Sequence, residues 1–247
     1  MRIVLALLFF VPMLCAYAQP PKGDGTHVEI LAPGRFCAAE MPGRTGDTWW
    51  VLYTSPGEGP RLRYSPLTVS PDPDLPGAYD VQVDYFGSAD VLLLFRGTPE
   101  LPRGPVATCF QGAARLVGGT RLVLGTGAQQ VMLGAIREQP APDREAYTVV
   151  LANDTVQQNL VASSWPRTGT PARDETYSYP ELRWAGDLDK DDRIDLFLNL
   201  SADPARSRGA LYLSSCAEKD EVLHLVAEYQ YDNCVATFQT GKSNDNH

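Results

Sequence analysis

Histidine is nearly missing from this chain, with three in 247 residues, and the chemistries that lean on imidazole have few candidates. His27 lies near the start, His224 in an apolar run and His247 at the last position, so a surface or satisfied core histidine accounts for each. A serine triad or a zinc site is disfavoured on this ground. No H-E-x-x-H, G-x-S-x-G or G-x-x-x-x-G-K-[ST] motif occurs either, which removes the local signatures of zinc proteases, α/β-hydrolases and phosphate-loop enzymes. Basic residues are also scarce, 21 against 30 acids. An acidic surface repels phosphate and gains nothing from counterion release, so nucleic acid is excluded as a partner. No apolar run after residue 18 is long enough to cross a bilayer, and no stretch carries sustained helical periodicity.

Residues 1–18 hold what the remainder lacks. Arg2 gives a positive start, Ile3 to Leu14 is apolar and broken only by Pro12, and Ala16-Tyr17-Ala18 is a small-x-small cleavage signal. The expectation is a secretory signal peptide removed after Ala18, and a secreted or periplasmic protein with no transmembrane segment. Its removal takes one Arg and no acid, leaving 20 basic and 30 acidic residues and a formal charge of −10.

Cys15 leaves with that signal, and Cys37, Cys109, Cys216 and Cys234 remain. An even number in an oxidising compartment suggests two disulfides. Of three connectivities, Cys37–Cys109 with Cys216–Cys234 keeps each bridge within one half of the chain. No C-x-x-C pair points to redox or zinc chemistry.

Twenty prolines, 21 glycines and short apolar runs bounded by turn residues point to an all-β protein. Strands are expected at Thr48 to Tyr53, Tyr79 to Tyr85, Val91 to Phe95, Arg121 to Leu124, Gln130 to Leu133, Tyr147 to Ala152, Gln157 to Val161, Ala210 to Ser214 and Val222 to Tyr231. The stretch from Glu138 to Asp143 has two prolines and no core-forming residue, and is the best candidate linker. It would divide an N-terminal β domain, 19–138, from a C-terminal β unit, 143–236, ahead of a polar tail, 237–247. One larger antiparallel β-sandwich sharing a single core is the other reading.

The richest stretch is Gly186-Asp187-Leu188-Asp189-Lys190-Asp191-Asp192-Arg193-Ile194-Asp195-Leu196. Calcium takes six to eight oxygen ligands, and a compact loop offers them at alternate positions. Here these are Asp187, Asp189, Asp191, the carbonyl of Arg193, and Asp195. An EF-hand would need flanking helices, Gly at position 6 and Glu at position 12, where this chain has strand-like flanks, Asp192 and Leu198. The segment resembles the FG-GAP, or VCBS-type, repeat, in which such a loop joins two strands of an integrin α-chain propeller blade. The resemblance implies one calcium-loop hairpin. It departs from the family at Asp192, where Gly is usual and a positive φ is expected, and in copy number, since a propeller needs at least four blades.

Trp49, Trp50, Tyr53, Trp165 and Trp184 are candidates for a sugar-stacking platform, but adjacent strand residues face opposite ways and core packing is the stronger account. The expectation is an exported, calcium-binding β protein that acts as a binding or structural module for a protein or carbohydrate ligand. The alternative is a secreted hydrolase with a carboxylate mechanism, whose paired acids leave no local spacing to detect. No catalytic residue is singled out.

Overall fold

The computed structural model describes residues 28–37, 40, 43–74, 77–83, 90–98, 101–141, 144–166, 179–201 and 206–232. The expected signal peptide, the tail 237–247, Cys234, His27 and His247 lie outside them. The protein is all-β, and the described residues contain no α-helix. No helix among them is long and apolar enough to cross a membrane.

Among the described residues, sixteen strands form three sheets. The first has the order β1 (Glu29–Leu31), β6 (Asp90–Arg96), β3 (Thr48–Ser55), β4 (Gly59–Pro71), β5 (Ala78–Val83) and β2 (Gly34–Cys37), with β7 (Gly104–Pro105) also on β4. The 13-residue β4 spans this curled sheet, since its first half pairs with β3 and its second half with β5. The second sheet has the order β12 (Gln157–Pro166), β11 (Arg144–Ala152), β10 (Val131–Ala141) and β9 (Arg121–Leu124). The third has the order β16 (His224–Asp232), β15 (Arg206–Leu213), β14 (Asp195–Asn199), β13 (Glu181–Asp187) and β8 (Ala107–Arg115).

That third sheet is the middle layer. Leu196 and Leu198 of β14 face the four-stranded sheet, together with Leu182, Ala185, Ala210 and Tyr212. Phe197 points the other way, with Trp184, Leu211 and Leu213, against Trp50, Leu62, Leu93 and Phe95 of the first sheet. A sheet covered on both faces needs near-continuous apolar strands, which is why β14 and the end of β15 read as Leu-Phe-Leu and Ala-Leu-Tyr-Leu. A third cluster, with Phe36, Trp49, Val51, Leu67 and Tyr231, lies on the opposite face of the first sheet.

Two expectations change here. The stretch from Glu138, expected to be a linker, continues β10 and closes the hairpin onto β11, with Ala141 opposite Arg144. Strand β8, from before that point, pairs with β13 from after it. The cores are therefore shared across residue 138, as in the single-sandwich reading, although with a third layer added. The cysteines differ as well. Cys109 and Cys216 are free, so neither expected pairing forms, while Cys37 is disulfide-bonded with a partner outside the described residues. Cys37–Cys109 fails because topology carries β8 away from β2 into the middle sheet.

A direct check follows. Burial pushes the Cys109 and Cys216 thiols above their ordinary range. Iodoacetamide on the native protein should therefore label both, slowly at neutral pH and faster above about pH 9, because the thiolate is the nucleophile. Mass spectrometry finding both unlabelled at high pH would contradict their exposure.

Candidate metal centre

The acidic run forms the connection between β13 and β14, as its flanking strand pattern implies. Its entry depends on a β-bulge. Residues two apart on a strand share a face, yet Leu182 and Trp184 point into opposite cores, because the register with both β8 and β14 shifts between them. Gly186 follows at the tightest approach in the hairpin. A Cβ there would lie 2.2 Å from the Ala107 carbonyl oxygen and 2.6 Å from the Trp184 ring, so no larger residue fits without moving backbone.

The loop is pinned at both ends. Leu188 is buried in the cluster containing Trp184, and Ile194 packs against the opposite cluster. Between them Lys190 and Asp192 take left-handed conformations, with φ of 63° and 62°. Asp192 thus stands where the family resemblance expects a positive φ, which Asp tolerates better than most residues. Asp187 stabilises the turn from within: its Oδ1 accepts from the Asp191 N–H at 3.0 Å and its Oδ2 from the Asp192 N–H at 3.1 Å.

Asp187, Asp189 and Asp195 come together, each with one carboxylate oxygen within 4.8 Å of the others. Asp195, fully buried, accepts from the Leu188 N–H at 2.7 Å, the Ser214 N–H at 2.8 Å and the Ser214 hydroxyl at 3.0 Å. Asp189 Oδ2 accepts from the Ser215 hydroxyl, whereas its Oδ1 is buried with no hydrogen-bond partner. Asp191 is not one of these three. Its carboxylate is held by the Arg193 guanidinium at 2.7 Å and lies 3.0 Å from the Ser214 hydroxyl. The exposed Arg193 side chain is occupied by that pair.

Acceptors outnumber donors in this cluster. The Ser214 hydroxyl is within 3.1 Å of both Asp191 oxygens and one of Asp195, but it has a single proton to give. Crowding raises the affinity of these groups for protons. Burial, reinforced by the Asp189 charge, pushes the Asp195 carboxyl up to about 8, and the bonds from Ser214 and Leu188 offset only part of this. Burial also raises Asp189, with the Asp191 and Asp187 charges adding to it, and raises Asp187.

Ser214 and Ser215 belong to the site and were not among the sequence candidates. They follow β15, which pairs with β14 so that Leu196 lies opposite Tyr212 and Leu213 ends the strand beside the loop. Three of the aromatic candidates belong to the core. Trp49, Trp50 and Trp184 are all buried, Trp49 beneath the Arg96 guanidinium at 4.5 Å, and Trp184 donates its ring N–H to Thr108 Oγ1 at 3.1 Å. Trp165 has its side chain outside the described residues. His224 is paired with Glu221 at 2.8 Å.

A pH dependence follows for the metal-free protein. Unfolded Asp195 ionises near 3.8, while the folded group keeps its proton toward about 8. In that window the folded state binds more protons, so this group's contribution is complete below the lower value and is lost as pH rises through the upper one. In chelator, wild type should lose stability from about pH 5 to about pH 7.5 more steeply than Asp195→Asn. Equal slopes in urea titrations of the two proteins would contradict it.

No family model, curated protein or solved structure matches this chain.

Proposed function

We propose that this is an exported β protein whose β13–β14 loop binds one calcium ion, and that the ordered hairpin makes it a binding or structural module. The observation that carries the reading is the convergence of Asp187, Asp189 and Asp195, together with the partnerless, buried Asp189 Oδ1. Oxygens bound to one calcium at about 2.4 Å can lie no more than about 4.8 Å apart, and the triad meets that limit. Hard carboxylate and hydroxyl oxygens with no nitrogen or sulfur among the converging atoms favour calcium over zinc or copper.

The ion would relieve the excess of acceptors and hold Leu188 and Ile194 in their two cores. It thereby links all three layers at one edge. The FG-GAP-like resemblance of the loop supports the same reading. A protein or carbohydrate ligand would meet the surface that this hairpin orders, and its affinity would depend on calcium through that order.

The test is equilibrium calcium binding by calorimetry on chelator-treated, dialysed protein. One ion per chain is expected, with binding lost in Asp189→Asn. Absence of binding by wild type at millimolar calcium would end the proposal, as would undiminished binding by the variant. Hydrolase assays run on both proteins separate this reading from a carboxylate hydrolase, for which activity would survive Asp189→Asn.

A further inference from the structure

The outer face of the four-stranded sheet carries a stripe of exposed apolar side chains. Four of the six large hydrophobic side chains exposed in the described chain fall between residues 117 and 136: Val117, Val123, Met132 and Ile136. Val123, 63% exposed, is the cross-strand partner of Met132, and Ile136 lies on the same face of β10 four residues on. A half-buried antiparallel sheet normally turns polar residues outward, so this clustering departs from the expected alternation.

The stripe has relief as well as area. Gly134 sits between Met132 and Ile136 with no side chain, opposite Val150 of β11. A groove of about 490 Å³ runs there, lined by Met132, Gly134, Ile136, Val150 and Ala152. Val123 is thus a knob beside a hole. Opposite charges border the stripe: Arg121, across from Gly134 and on the same face as Val123, borders the groove, and Asp154 borders the recess between Val123 and Ala152.

We propose that a second copy of this chain docks on this face as an isologous dimer. A two-fold axis between the faces, crossing the line from Arg121 to Asp154, sets each Arg121 against the partner's Asp154. It also presents each Val123–Met132 pair to the other copy's sheet face. One patch supplies knob, hole and both charges, which is what a self-complementary interface requires. A foreign protein would need to supply these features independently, so a second copy is the occupant the charges favour. The inference does not rest on calcium.

Sedimentation velocity on the full exported chain, in calcium and in chelator, tests it. Wild type should be dimeric at about 100 μM in both. Val123→Glu combined with Met132→Glu should be monomeric, while Leu225→Glu, on the exposed side of β16, should stay dimeric. Arg121→Asp should weaken association about tenfold, and Arg121→Asp with Asp154→Arg in the same chain should restore it. Circular dichroism confirms that each variant is folded. A wild-type monomer at that concentration, a dimer that survives Val123→Glu with Met132→Glu, or a double charge reversal no tighter than the single one would each overturn the proposal.

Discussion

Asp189→Asn should reverse its rank against wild type when calcium is exchanged for chelator. In chelator the substitution removes one of the crowded charges, since burial, with repulsion from Asp191 and Asp187 added to it, already raises the Asp189 carboxyl, so the variant should match or exceed wild type. In calcium the order inverts. At about 1 mM calcium and a dissociation constant of about 10 μM, mass action adds about 2.7 kcal/mol to wild type, or roughly 5–10 °C in melting temperature for a domain of this size. The variant should gain little. A merely structural Asp189, bonded to Ser215, would leave the variant below wild type by the same margin in both solutions. Thermal unfolding of the two proteins in the two buffers distinguishes these results, and parallel behaviour would remove the metal from the account.

Strand positions were legible where alternation or continuous apolar runs marked them. The expected Thr48 to Tyr53, Val91 to Phe95 and Arg121 to Leu124 lie within or coincide with β3, β6 and β9. The long β4 was not read, because Pro60, Pro66 and Pro71 interrupt it and proline cannot donate to a ladder. It tolerates them because it changes partners along its length, from β3 to β5. Strand β8 escaped for another reason: an edge of the middle sheet, it is largely exposed and carries no apolar period. Residue 138 looks like a boundary because two prolines and no core-forming residue follow it, and Cys109 looks like a partner of Cys37 because both precede that boundary.

The site was half legible. Spacing alone placed five residues on one loop, since alternate oxygens within nine positions are a local property. It did not separate Asp191 from the triad, because that outcome depends on the Arg193 side chain reaching back to it. Nor did it find Ser214, which lies 19 residues beyond Asp195 and arrives through the β14–β15 pairing. The available signal was Ser214-Ser215 directly after the buried run from Ala210 to Leu213, and it acquires meaning only once the register of that hairpin is drawn.

Trp184→Ala should cost about 3–5 kcal/mol, a large part of the stability of an ordinary domain. The ring is fully buried between the middle sheet and the curled sheet, among Trp50, Leu93 and Phe95, and nothing nearby can collapse into its volume without moving a strand. Trp184→Phe should cost less in packing but leaves Thr108 Oγ1 without its donor, a further loss of about 1 kcal/mol. Leu225→Ala, at an exposed position, should fall within about 0.5 kcal/mol of wild type. Urea titrations in saturating calcium and in chelator separate packing from metal. Leu188 shares the Trp184 cluster and opens the loop, so loss of the indole should also blunt the calcium increment. If Trp184→Ala unfolds within about 1 kcal/mol of wild type, the bulge at Arg183 does not aim this ring into the core.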